Sequence, residues 1–304
     1  MSIPIRPRGL GANIALVFSI IAKNFPKLAI VSLIFGLPAL IPQILGILDP
    51  EAWTFYLEVE DLDTIEIPYA PYVGMVLGYL FYPFFIGTIT GLVTGGYTGE
   101  NVTVGKSLEL AARVFIPLAL FALLSNFFIF GGFLVLGGLG GLGLMPEMLA
   151  VILIIFMVIP LLMMVAAFYV GSPAIVVERI GVGIAFRRTI LLTRNRRLMI
   201  LGFAFLIGMI ASFAASILLV PAVIVMLASG SDEPGIAMLI LTWLLQSILG
   251  LLNVVAPVVI YFQLRAEKEN FQLTSLAELV DDIQARRGPD DTFSDADNPY
   301  RQDF

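Results

Sequence analysis

Residues 172–197 read "SPAIVVERIGVGIAFRRTILLTRNRR", a stretch that lies between two long apolar runs and holds six of the seventeen Lys and Arg residues of the chain. Either this stretch binds something anionic, or its charge sets the direction in which the flanking runs cross a membrane. Composition bears on the choice. Hydrophobic residues make up 59% of the 304 positions and charged residues 13%, against roughly 45–50% and about 25% in soluble domains. A membrane-crossing helix needs about 20 apolar residues, and several uncharged runs here are longer.

Outward from the stretch, hydropathy predicts six spans at about 28–48, 72–97, 114–136, 148–170, 198–228 and 236–262. Four basic residues precede the first span, two lie at the second loop, six in the fourth loop and five after the last span. The other three loops carry acids instead: seven from Asp49 to Glu66, then Glu147, then Asp232 and Glu233. Lys and Arg near span ends resist translocation. The split therefore predicts a multi-pass protein of a cell (inner) membrane, both termini cytoplasmic and the acidic loops outside. The opening "MSIPIRPRGLG" is followed by no A-x-A-like cleavage site, so no removable signal peptide is expected.

The chain has no His and no Cys, which removes Ser-His-Asp and Cys-His nucleophiles, thiol redox chemistry, disulfides and the usual zinc sites. No metal, cofactor or nucleic acid is implied. "TGENVTVGKS" at 98–107 imitates a phosphate loop, but the required first Gly is Glu100 and the stretch follows an apolar span rather than a strand. "EVEDLDTIE" at 58–66 is rich in carboxylates yet lacks the Gly of a calcium loop; a solvated acidic loop is expected.

Before the first span, Leu10, Ile14, Val17, Phe18, Ile21 and Phe25 share one stripe, the pattern of a helix lying in the interface; "NFPK" is expected to turn the chain into the bilayer. "GIAFRRTILLTRN" at 183–195 echoes "NIALVFSIIAKN" at 13–24 at an offset of 170, and "GKSLELAARVF" at 105–115 is a third candidate with no fixed register. The expected fold is thus an all-α integral membrane protein of six transmembrane helices, arranged as three hairpins each preceded by a cytoplasmic interfacial helix. Residues 1–264 form the membrane domain. Residues 265–304 form a cytoplasmic tail, with a short amphipathic helix at about 275–287 begun by a capping box at Ser275 and Glu278, then a disordered acidic end.

Glycines 74, 78, 87, 91 and 95 give the second span a small-residue face suited to close helix packing. Every span or its start carries a proline, which either kinks the rod or opens a hinge and cavity. The Gly-rich run 131–144 is expected to end the third span loosely. No Asp, Glu, Lys or Arg falls in the centre of a span, so no ion pathway or proton relay is marked. Asn126, Gln246 and Asn253 are the polar groups there, and they either hydrogen-bond between helices or line a cavity. In the opening stretch, Arg187, Arg188, Arg194, Arg196 and Arg197 can reach lipid phosphates or a partner protein, and Glu178 can pair with one of the arginines.

The succession Ser172-Pro173, Glu178, Gly181, Arg188-Thr189 and Leu192-Thr193-Arg194, together with "NFPKL" and "GTITGLVTGGYTGENVTVGKSLELAARV", resembles the membrane domain fused to some bacterial glycerophosphodiester phosphodiesterases and its stand-alone relatives, over most of residues 10–264. The resemblance implies a six-helix membrane fold. The catalytic domain of those enzymes is not in this sequence, so their activity is not carried over, and Arg196-Arg197 replaces an expected aromatic residue. The expected role is a non-enzymatic membrane protein that engages anionic lipids or a membrane partner; the alternative is a transporter or lipid-translocating protein with a mid-membrane cavity.

Overall fold

The computed structural model describes residues 9–48, 56–57, 65–66, 69–141, 147–228 and 236–269. These residues are helical apart from short connections and one ladder of two-residue antiparallel strands, β1 (Tyr56–Leu57) and β2 (Ile65–Glu66). In chain order the helices are α1 (Leu10–Gly36), a 3-10 turn (Leu37–Ala39), α2 (Leu40–Leu48), α3 (Tyr69–Thr98), α4 (Val104–Arg113), α5 (Phe115–Gly141), α6 (Glu147–Phe168), α7 (Gly171–Glu178), α8 (Val182–Thr193), α9 (Arg197–Ala228) and α10 (Ile236–Glu269). Five stretches are long and apolar enough to cross a membrane: Leu10–Leu45, Tyr72–Thr98, Phe156–Glu178, Arg197–Pro221 and Met238–Glu269. A sixth results if Val104–Arg113 and Phe115–Gly131, bent by 65° at their junction, form one span.

The C-terminal half of α10 is the axis of the fold. From Leu251 to Ala266 nearly every side chain is buried, including Val255, Ala256, Val258, Ile260 and Tyr261 at 0% exposure. A helix apolar on all sides belongs in the interior. Helices α1, α3, α7, α8 and α9 all touch α10.

Three sequence expectations change. The turn at Asn24–Lys27 is absent: α1 is one helix with Pro26 inside it. Asn13, Val17, Ile20, Leu28 and Val31 are all buried and continue one stripe through the proline. Packing of that stripe against α10 keeps the helix unbroken although Pro26 removes one backbone hydrogen bond. Likewise, residues 172–178 are no cytoplasmic loop. They form most of α7, whose Pro173, Ala174, Ile175 and Val176 are buried in the core.

The third change concerns the repeat. Helices α1, α4 and α8 follow N-caps of extended backbone at Gly9, Thr103 and Gly181. The buried residues lie at the same distances from each cap: Asn13, Val17 and Ile20; Ser107, Ala111 and Val114; Ala185, Thr189 and Leu192. The structural register is therefore an offset of 94 and 172, not 170. Sequence identity at offset 170 pairs buried Ile20 with Ile190, which is 43% exposed, so it does not match the packing faces.

Helix α4 is seated on the glycine face of α3. A Cβ on Gly87 would lie 2.7 Å from the Ala111 Cβ, one on Gly91 3.1 Å from the Ser107 hydroxyl, and one on Gly95 2.3 Å from a Val102 methyl. This contact accounts for the 87, 91, 95 part of the small-residue face. The Gly-rich run is helical as far as Gly141. The expected tail helix at 275–287, the acidic end after it and most of the acidic loop 58–66 lie outside the described residues.

Replacing Gly87 with Leu is expected to lower unfolding stability in detergent by ~1–3 kcal/mol through overpacking. Gly105→Ala, in open space on α4, is expected to be neutral or slightly stabilising. Equal midpoints for the two variants in a denaturing-detergent titration would contradict the close packing of α4 on Gly87.

Candidate functional site

Helix α10 does not stop at Leu264 but runs to Glu269, so the polar sequence Gln263, Arg265, Glu267, Lys268 and Glu269 continues out of the core on a helix. Each of these side chains meets a partner. Arg265, 1% exposed, donates from Nε to Glu269 Oε2 at 2.9 Å and lies 3.8 Å from Glu178 Oε1. Its Nη1 donates to the Tyr261 hydroxyl at 3.2 Å, and that hydroxyl donates to Glu178 Oε1 at 2.6 Å. Arg188 approaches the same carboxylate from α8, with its Nε 3.0 Å from both oxygens, and its other end contacts Glu269.

Two carboxylates and two guanidinium groups thus close around one buried tyrosine. Burial opposes the charge on Arg188, but the neighbouring carboxylates of Glu178 and then Glu269 outweigh it and raise its affinity for its proton. Beside this cluster, Asn13 of α1 donates to Gln263, which donates to Glu267 at 3.0 Å, and Glu267 in turn accepts from Arg196 Nε at 3.1 Å. Lys268 donates to the carbonyls of Leu191 and Arg194 at 2.7 and 2.8 Å. These are the open carbonyls at the end of α8, where a cation is well placed.

The arginines of the opening stretch therefore divide. Arg188 and Arg196 belong to ion pairs. Arg187 is exposed on α8 and Arg194 just past its end, and Arg197 is half-buried at the start of α9. Glu178 meets both Arg188 and Arg265. Hydropathy and loop charge do not mark Tyr261, Gln263, Arg265, Glu267, Lys268 and Glu269 as site residues, since Tyr261 falls inside the last span and the others just beyond its end at Phe262. The signal available was spacing: Tyr261 with Arg265, Gln263 with Glu267 and Arg265 with Glu269 are each four residues apart, on one helix face.

Asn126, Gln246 and Asn253 are not brought together. Asn126 donates to the Tyr79 hydroxyl at 3.2 Å, joining α5 to α3. Asn253 is exposed on α10. Gln246 lines a pocket of about 240 Å³ between the end of α1 with the following turn, α3 and α10. Two hydrogen bonds clamp α1 to α10 at its floor: the Ser32 hydroxyl to the Ser247 carbonyl, and Trp243 Nε1 to the Gly36 carbonyl at 2.8 Å. Gly36 is needed there, since its Cβ would lie 2.6 Å from the Ser247 hydroxyl. Gly74 and Gly78 also line this pocket.

Among the described residues no group of three or more His, Cys, Asp or Glu side chains is arranged to hold a metal ion. The family model described as "Domain of unknown function (DUF7847)" matches residues 14–264. No curated protein and no solved structure matches the chain.

Removing the Glu178 carboxylate leaves two guanidinium groups to share Glu269 alone and takes the acceptor from the buried Tyr261 hydroxyl. Glu178→Leu is expected to cost ~3–5 kcal/mol of stability. Arg113→Ala, which breaks the exposed pair with Glu109, is expected to cost at most ~1 kcal/mol. Denaturing-detergent titrations of the two variants check the contrast.

Proposed function

The chain belongs to the DUF7847 family, a domain of unknown function, and from its geometry we propose a non-enzymatic multi-pass protein of a prokaryotic cell membrane that engages anionic lipids through its cytoplasmic face. The observation that carries the membrane part is the outward display of large apolar side chains on the long helices. Phe127, Phe156, Phe205 and Phe213 are each 67–73% exposed on α5, α6 and α9. Soluble monomers rarely expose contiguous apolar surface on this scale, whereas a hydrocarbon solvent favours it.

Support for the lipid part comes from α8. Arg187, Ile190 and Arg194 share its outer face, with Ile190 43% exposed between two exposed cations. In the shared register, the position of Ile190 on α1 is Phe18, 42% exposed, and Lys23 follows. An apolar residue flanked by cations suits the boundary between headgroups and chains. Each such cation contributes about 1 kcal/mol near an anionic leaflet. Arg188 and Arg196, engaged with carboxylates, take no part. Another membrane protein offering acidic groups is a partner of the same chemistry. On this reading the likeness to the membrane domain of glycerophosphodiester phosphodiesterases is one of architecture, with no catalytic role carried over.

The pocket at Gln246 favours a second reading, a transporter or lipid-translocating protein. Against it stand Asn126 and Asn253, which do not line that pocket, and the ion network that ties α7, α8 and α10 together at their other end.

Replacing Arg187 and Arg194 together with Gln is expected to lower the preference for phosphatidylglycerol over phosphatidylcholine in mixed nanodiscs roughly tenfold; an unchanged preference removes the lipid reading. Orientation is checked separately, since the chain has no cysteine of its own. In intact cells a membrane-impermeant maleimide is expected to label Ser231→Cys, and to label Ser275→Cys only after permeabilisation. The reverse pattern overturns the orientation.

A further inference from the structure

The pocket beside Gln246 has a chemistry distinct from that of the polar end. We propose that it is a binding site for a neutral, membrane-soluble lipid whose apolar chain or ring fills the pocket and whose uncharged hydroxyl, ester or carbonyl group hydrogen-bonds the Gln246 amide. The proposal rests on the reading of the chain as membrane-embedded. It does not depend on the lipid preference of the cytoplasmic face.

The walls are aromatic and aliphatic: Phe35 from α1, Phe81 from α3 and Trp243 from α10. An apolar cavity of about 150 Å³ stays dry and accepts a benzene-sized molecule, so a pocket of about 240 Å³ has room for a ring or a short length of chain. Among the described residues no charged side chain lines it. Trp243 Nε1 and the Ser32 hydroxyl are already spent on the clamp between α1 and α10. Gln246 is exposed at the pocket and makes no hydrogen bond to another described residue. It keeps both a donor and an acceptor for an occupant.

Depth selects the class of lipid. Gln246 follows Ile236, the first residue of α10, by ten positions, roughly 15 Å along a helix at about 1.5 Å per residue. That is near the middle of a hydrocarbon layer of roughly 30 Å. A phosphate or ammonium headgroup drawn to this depth would meet no counter-charge. An uncharged oxygen function meets the amide of Gln246, and a small neutral lipid can bring it there.

Two glycines leave the pocket open. A Cβ on Gly78 or on Gly250 would have no atom within 4 Å, so a larger side chain at either position grows into the pocket rather than into a neighbouring helix. The reporter is built in, because Trp243 is one of only two tryptophans and Trp53→Phe leaves it alone.

The experiment uses the full chain carrying Trp53→Phe in phosphatidylcholine nanodiscs and follows Trp243 fluorescence. The probe is a monoacylglycerol with a dibrominated chain, compared with phosphatidylglycerol and phosphatidylcholine bearing the same chain. Saturable quenching by the monoacylglycerol is expected at a mole fraction roughly five- to tenfold below that of either phospholipid, the scale of one hydrogen bond plus exclusion of a charged headgroup. Gly250→Leu and Gly78→Leu are each expected to abolish the preference while leaving the helical circular dichroism and the denaturing-detergent midpoint unchanged. Gln246→Leu is expected to weaken it roughly fivefold. Equal quenching by all three lipids overturns the site, as does a preference that survives both glycine variants. A chain that stays in the aqueous phase without detergent removes the membrane reading as well, so the two failures are distinguishable.

Discussion

A guanidinium group cannot be left alone in a dry interior, and Arg265 sits at 1% exposure on the central helix. Its charge is tolerable only because Glu178 and Glu269 are within reach and the Tyr261 hydroxyl links it to Glu178. Glu178 comes from α7 and Arg188 from α8, so satisfying one buried charge sets where two further helices must stand. The residues just beyond, from Gln263 to Lys268, extend the same demand to α1, to the end of α8 and to Arg196 before α9. A single polar helix end thereby joins segments more than two hundred residues apart in the chain.

Around that joint the apolar packing follows one rule three times over. Helices α1, α4 and α8 bury the fourth, eighth and eleventh residues after their caps, a spacing that keeps one face inward at 3.6 residues per turn. What each buries differs: Asn13, Ser107 and Ala185 occupy equivalent places. The buried positions match although the residues that fill them differ. The glycines of α3 then decide how closely α4 can approach, since their missing Cβ atoms are where Ala111, Ser107 and Val102 lie.

The two regions of chemical interest are opposite in character. At the polar end Arg188, Arg196, Arg265 and Lys268 meet carboxylates or carbonyls, while Arg187, Ile190 and Arg194 are exposed on and just after α8. Along α10 toward its start, the contact between α1 and α10 opens against α3 into an uncharged pocket beside Gln246. Electrostatic attraction to a leaflet suits the first, and apolar solvation with one hydrogen bond suits the second.

Much of the architecture was legible in the residues themselves. Hydropathy marks where apolar helices lie, because transfer to hydrocarbon is close to a sum over the residues of one segment. Loop charge is likewise local. The link between Glu178 and an arginine was legible because Arg188 is ten residues away. Its link to Arg265 was not, and neither were the change of register to 172, the burial of α7 or the separation of Gln246 from Asn126 and Asn253. By itself the sequence determined which stretches are apolar helices and where the charges cluster between them. Only the tertiary structure decided which helix faces which, because close packing and the pairing of a buried charge depend on groups that distant segments bring to the same place.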